Sequence, residues 1–253
     1  MIRDINLDEI LNPEDVDLSS FKIKDRLDPK IWDVKNGNYV LKPKIRQRLL
    51  VLADDFYDSL DLDFVDIKDI IFTGSLANYN WSNFSDIDLH IVLDFEEVDK
   101  NEELVKGFFN SRKAAWNDEH DVKILGYDVE VYVQDRKEKH FSTGVYSILH
   151  NKWLIKPTKD QKIEDKEFIK KKASDFMNLI DSLEPFYEKG YYNYLVKKID
   201  RIKEKIKNMR QEGLEDKGEF SKENLIFKVL RRTGYIEKLY DLQTKAYDKA
   251  FSL

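Results

Sequence analysis

Apolar positions in this chain of 253 residues recur at helical spacing, then in short runs and alternations, then at helical spacing again. Residues 1–30 are polar with isolated apolar positions and include Pro13 and Pro29, which predicts an irregular arm, and Trp32 is expected to pack. From Pro43, the residues Ile45, Leu49, Leu52, Phe56 and Leu60 fall on one helix face, with proline in the first turn where its missing N–H is tolerated. Its basic start, Lys42 to Arg48, reads as a solvated face, with phosphate contact as the alternative. Ile70-Ile71-Phe72-Thr73 then forms a buried strand that Gly74-Ser75 ends, because glycine takes backbone angles closed to other residues.

After a short helical or looped segment, the run from Asp86 to Leu93 starts with strict alternation. As a strand it turns Ile87 and Leu89 to one face, and Asp86 and Asp88 to the other. Acids at Asp99 and Glu102 mark the start of a helix that reaches Trp116 and should bury Leu104, Phe108 and Ala115. Residues 122–125 and 128–133 flank Gly126-Tyr127 at hairpin spacing, with Val129, Val131 and Val133 on one face and Asp128, Glu130 and Tyr132 on the other. The block from His140 to Ser147 reads as a turn into a strand from Ser147 to Leu149, followed by another from Lys152 to Lys156. Its alternative is the lining of a nucleotide or acceptor pocket. Pro157 to Lys166 is a linker, and three helical stretches follow over 166–183, 190–210 and 221–250, the last interrupted at Thr233-Gly234.

Two acids at i and i+2 on one strand face repel, each raising the pKa of the other unless a cation neutralises them. A hard divalent cation answers that problem, since it takes oxygen ligands from one or two carboxylates plus substrate phosphates. The neighbouring Gly74-Ser75 turn offers backbone N–H groups and a hydroxyl, a concavity suited to phosphate. Together these features point to phosphoryl chemistry.

The order hydrophobic-Gly-Ser, about ten residues, then Asp-hydrophobic-Asp-hydrophobic resembles the signature of the polymerase-beta-like nucleotidyltransferase superfamily. Here it reads Phe72-Thr73-Gly74-Ser75 and Asp86-Ile87-Asp88-Leu89, and the resemblance runs over residues 70–133. It implies an α/β (α+β) fold, a nucleotidyltransferase-like mixed sheet with flanking helices, followed by a helical C-terminal lobe. The corresponding domains are 1–157, catalytic with its N-terminal arm, and 158–253, helical. The implied reaction moves a nucleoside monophosphate from a nucleoside triphosphate such as ATP to an acceptor hydroxyl and releases pyrophosphate. Two Mg²⁺ or Mn²⁺ ions would be held by Asp86, Asp88 and a third acid on a later strand, while Gly74 and Ser75 bind the nucleotide.

Asp128 and Glu130 are the candidates for the third acid. Glu130 is favoured because it is central and flanked by valines, a costly place for a charge without a cation, whereas Asp128 follows a turn. The superfamily's helical lobe often offers a lysine to the triphosphate and an aromatic to the base, for which Tyr191, Tyr192, Tyr194 and Lys197 or Lys198 come into consideration. The stretch from Trp116 to Ser147 is also similar to nucleotidyltransferase-like proteins of tailed phages.

A net charge of −6 and a pI near 5.4 argue against a general electrostatic grip on nucleic acid, which needs many Lys and Arg to neutralise phosphates. The acceptor therefore leans toward a small molecule, a nucleotide or a protein. RNA is kept as the alternative through the basic residues Lys197, Lys198, Arg201, Lys203, Lys205, Lys207 and Arg210 around the stripe Ile199, Ile202, Ile206 and Met209. A further alternative is a non-catalytic nucleotide-binding protein that retains the fold. No cysteine is present, which excludes thiolate metal sites, and His90, His120, His140 and His150 lack paired-ligand spacing for zinc. Without a secretory or membrane-spanning apolar run, the expected location is the cytoplasm, the host's if phage-encoded, and no membrane partner is expected.

Overall fold

Asn36-Gly37, with φ of 50° and 75°, turns the chain between β1 (Trp32–Lys35) and β2 (Asn38–Leu41). Two positive φ angles in a two-residue loop match the twist of a hairpin, and Asn-Gly is the pair that tolerates them. The computed structural model describes residues 11–252, so residues 1–10 of the expected arm, and residue 253, lie outside the described residues. Within this range the chain divides into two compact units, residues 20–161 and residues 11–19 with 162–252.

In the first unit α1 (Pro43–Asp58) buries Ile45, Leu49, Ala53 and Phe56. Arg46 at its basic start donates to the carbonyls of Ile148 and Leu149, at 2.7 and 2.9 Å, so this cation serves the fold. The strands β3 (Asp69–Thr73), β4 (Ile87–Leu93), β5 (Lys123–Ile124), β6 (Tyr127–Asp135), β7 (Val145–Ser147) and β8 (Lys152–Ile155) make one six-stranded sheet in the order β5-β6-β4-β3-β7-β8. Only β4 and β6 pair in parallel, and the chain crosses between them through α2 (Phe95–Val98) and α3 (Glu102–Glu119). The α/β expectation of a mixed sheet with flanking helices and a helical C-terminal region therefore holds.

Two details of the sequence reading need correction. Along α3 the buried residues are Val105, Phe109 and Trp116, while Leu104 and Phe108 are exposed. The helix is turned by one residue because Trp116 meets Phe56 edge-on and Phe109 lies against Phe95. The strand placed at Ser147 to Leu149 instead ends at Ser147, since the chain leaves the sheet for a turn that ends at Asn151, whose φ is 53°.

The second unit is helical: α4 (Lys166–Asp181), α5 (Glu184–Glu188), α6 (Tyr192–Lys217), α7 (Lys222–Arg232) and α8 (Tyr235–Phe251). Ile199, Ile202 and Ile206 of α6 are buried as their spacing predicts, and Gly234, with φ of 79°, separates α7 from α8. Leu11 joins this unit through two backbone bonds to the Asn178 amide of α4, at 2.9 and 3.0 Å. Among the described residues no helix is long and apolar enough to cross a membrane.

Candidate active site

Strand register brings the motif residues together. Thr73, the last residue of β3, stands opposite Asp88 of β4, and Asp88 stands opposite Glu130 of β6. Asp88 is thus flanked by the Gly74-Ser75 turn on one side and Glu130 on the other. Along β4 the burial alternates, with Ile87, Leu89, Ile91 and Leu93 fully enclosed and Asp88 and His90 half-buried on the opposite face. Asp86 lies just before the strand and is also half-buried. One carboxylate oxygen from each of Asp86, Asp88 and Glu130 lies within 4.8 Å of the others. Among the described residues this is the one group of three such side chains close enough together to hold a metal ion. Asp128 stands apart, 64% exposed and in an ion pair with Lys123.

Gly74 has φ of 75° and ψ of −164°, a backbone region that is essentially glycine's alone. A second constraint is steric: a Cβ at this position would sit 1.8 Å from Oδ2 of Asp88. The glycine therefore makes room for the carboxylate as well as for the turn. The following 3₁₀ turn, Ser75–Ala77, is fixed by the Trp32 indole, whose Nε1 donates to the Leu76 carbonyl at 2.8 Å. Trp32 itself packs between Phe72 and Trp153, at 5.6 and 4.7 Å between ring centroids. The Ser75 hydroxyl is buried and donates to Ser85 Oγ at 2.7 Å, which also accepts from the Ser82 amide.

The block after β6 lies on the same turn. Thr143 Oγ1 donates to Asn78 Oδ1 at 3.0 Å, and a Cβ on Gly144 would come within 2.1 Å of the Ala77 carbonyl oxygen. The turn into β7 therefore lies against Thr73, Ala77 and Asn78.

Three further side chains, Tyr132, Lys113 and His90, stand close to the carboxylates, and of these Tyr132 shares the face that alternation assigns to Glu130. The Tyr132 hydroxyl donates to Glu130, and burial together with the negative charges of Asp88 and Glu130 holds its pKa far above the usual tyrosine range. The Lys113 ammonium from α3 stands 4.1 Å from the centre of the Tyr132 ring. Burial lowers its pKa, while the charges of Glu130 and Asp88 act in the opposite sense. Burial also lowers the His90 pKa to about 4, so the ring is neutral at pH 7, and its Nδ1 lies 2.8 Å from Gln134 Oε1. In the helical unit Tyr191 and Tyr194 are exposed, and Lys198 reaches over Phe186 and Tyr194 at 4.9 and 5.6 Å.

The mixed sheet thus gathers three carboxylates beside a glycine-serine turn at its strand ends. Residues 53–156 match the family model of the nucleotidyltransferase domain, consistent with the polymerase-beta-like superfamily, and that stretch contains Gly74, Ser75, Asp86, Asp88 and Glu130. No curated protein and no solved structure matches the chain.

Proposed function

We propose that this protein is a metal-dependent nucleotidyltransferase that moves a nucleoside monophosphate from a nucleoside triphosphate to an acceptor hydroxyl. The observation that carries the reading is the convergence of Asp86, Asp88 and Glu130 within 4.8 Å inside the stretch matched as a nucleotidyltransferase domain. Three carboxylates and no nitrogen or sulfur ligand are a donor set for a hard cation, so Mg²⁺ or Mn²⁺ fits these residues. Asp86 and Asp88 would be shared between two ions and Glu130 would serve the one on the acceptor side. Bound there, the ions would lower the pKa of the acceptor hydroxyl and offset charge on the departing pyrophosphate.

The chain's own residues contribute position and charge. Gly74 leaves room for the Asp88 carboxylate against the turn, whose backbone N–H groups would meet phosphate oxygens, and the Ser75 hydroxyl would turn from Ser85 to the phosphate. The bond from the acceptor oxygen to the α-phosphorus forms as the bond from that phosphorus to the bridging oxygen breaks, and the hydroxyl proton is released. An RNA acceptor is a second reading, favoured by the charge of α6. Between residues 192 and 210 it carries seven Lys and Arg against Asp200 and Glu204, although Glu212, Glu215 and Asp216 follow on the same helix and Lys203 and Arg210 bond to Gln243 and Asn224.

The test is incubation with each labelled triphosphate and Mg²⁺ or Mn²⁺, with small hydroxyl compounds, nucleotides, proteins and RNA as acceptors. Incorporation with pyrophosphate release is the expected result, lost in Asp86→Asn. Metal-dependent triphosphate binding without turnover on any acceptor would instead make this a nucleotide-binding protein that retains the fold.

A further inference from the structure

The sheet face bearing Asp88 and Glu130 continues into His90 and Tyr132, which stand opposite each other in the register of β4 and β6. Tyr132 lies two residues beyond Glu130 on the same strand face, and its hydroxyl donates to Oε2 of that glutamate. Two neighbours fix the tyrosine ring. The His90 ring is 4.9 Å away, and the Lys113 ammonium is 4.1 Å from the ring centre. His90 is fixed in turn by Gln134, which is itself buried.

Glu130 needs such support. Two like charges stand close to it, and a long side chain that is held still gives up rotamer freedom. Without a tether, repulsion would favour rotamers that carry its carboxylate away from Asp86 and Asp88. A hydroxyl on a ring packed against two neighbours is a rigid donor, and a hydrogen bond to an ionised acceptor is among the stronger ones.

We propose that Tyr132 is a positioning residue, holding the Glu130 carboxylate through its hydroxyl in the orientation that joins Asp86 and Asp88, while His90 and Lys113 fix the ring that carries this hydroxyl. The inference rests on the metal-binding reading above. It assigns a role to a side chain that neither the motif nor the family match singles out.

The test is calorimetric Mn²⁺ binding to the wild type, Tyr132→Phe and Asp88→Asn, together with melting curves and pyrophosphate release titrated with Mn²⁺. Tyr132→Phe keeps the ring against His90 and Lys113 and loses only the bond to Glu130, so its melting temperature should fall by no more than the loss of one hydrogen bond allows. Its Mn²⁺ affinity should fall about tenfold, the lower end of the cost of removing a group that orients a metal ligand. Pyrophosphate release should recover towards the wild-type rate at saturating Mn²⁺. A merely structural role would lower melting temperature and maximal rate together and leave Mn²⁺ affinity unmoved, which would overturn the proposal. If Asp88→Asn loses the ion while Tyr132→Phe binds it as the wild type does, the role of Tyr132 alone falls. If Asp88→Asn binds Mn²⁺ normally, the metal reading falls and takes this inference with it.

Discussion

Carboxylates stand at both ends of the parallel pair β4 and β6, in different company. Beyond the C-terminal end of β4, Asp94 is buried, accepts from the Glu96 amide at 3.2 Å as the N-cap of α2, and meets Arg136 Nε at 2.9 Å. Asp135, at the end of β6, is buried beside it and accepts from the amides of Phe95 and Lys137, at 3.3 and 2.6 Å. Backbone N–H groups and a guanidinium therefore meet these acids, and their charge closes the chain's exit from the sheet. At the other end Asp86, Asp88 and Glu130 face one another. Asp94 and Asp135 are the more enclosed, so burial alone does not mark the acids that gather at the other end. The distinction lies in what each carboxylate faces: at this end two further acids, with the Tyr132 hydroxyl and the Lys113 charge beside them.

The sharpest way to break the contrast is Asp88→Asn. Turnover should fall by more than about 100-fold, beyond the usual cost of losing a group that only supports a ligand. The melting temperature measured without metal should hold or rise, because an amide removes repulsion with Asp86 and Glu130. Wild-type turnover in this variant would place the N-terminal end among the structural acids.

Gly74→Ala comes next, because its new Cβ would fall on the Asp88 carboxylate and φ of 75° strains any side chain. It should lose most of the turnover and about 1–3 kcal/mol of stability. Ser75→Ala removes one hydroxyl bond to Ser85 and should cost about 0.5–1.5 kcal/mol, with a smaller loss of triphosphate affinity. Measured triphosphate affinities that are equal and unchanged in both would remove the turn from the site.

At the structural end Asp94→Ala reverses the pattern. Loss of the N-cap and of the charge-assisted bond to Arg136 should cost about 2–3 kcal/mol in denaturant unfolding. Turnover per folded molecule should stay at the wild-type level. A loss of turnover with stability intact would mean that both ends of the strand pair act on the substrate.

Much of this contrast is legible in the sequence, and what escapes it is long-range. The alternation Asp86 to Leu89 shows which side chains share a face, and the stripe Ile199, Ile202 and Ile206 shows the buried side of α6. On α3, Leu104, Phe108 and Ala115 have the same spacing as Val105, Phe109 and Trp116, so periodicity offers two stripes about 100° apart and no choice between them. Partners distant in the chain, Phe56 and Phe95, decide. The hairpin of β1 and β2 had a local signal in Asn36-Gly37 that the apolar pattern alone does not register. Trp32 reads as packing and does pack, yet its bond to the Leu76 carbonyl also holds the turn that follows Gly74. Tyr132 shares the Glu130 face by alternation, whereas Lys113 becomes a neighbour of the carboxylates only when α3 and β6 are placed side by side.

The smallest expected effect separates two acids that sequence periodicity treats alike. Asp128 and Glu130 share a face of β6, but register assigns them different neighbours: Glu130 stands opposite Asp88, and Asp128 stands opposite Lys123 of β5. The Asp128 side chain is 64% exposed and its ion pair with Lys123 is correspondingly screened. An exposed pair of this kind contributes roughly 0–1 kcal/mol, so Asp128→Asn should shift stability by no more than that, and less at high salt. Its metal-dependent turnover under saturating triphosphate should match the wild type, while Glu130→Gln should lose activity as Asp88→Asn does. Level along the strand does not separate them, since the parallel register that sets Ile87 against Val129 would set Asp128 level with Asp86; the Asp128 side chain is instead exposed and drawn to Lys123 beside the Leu125-Gly126 turn. An inactive Asp128→Asn beside an active Glu130→Gln would move the third ligand to the edge of the sheet, and activity in both would leave Asp86 and Asp88 to hold the ions without β6.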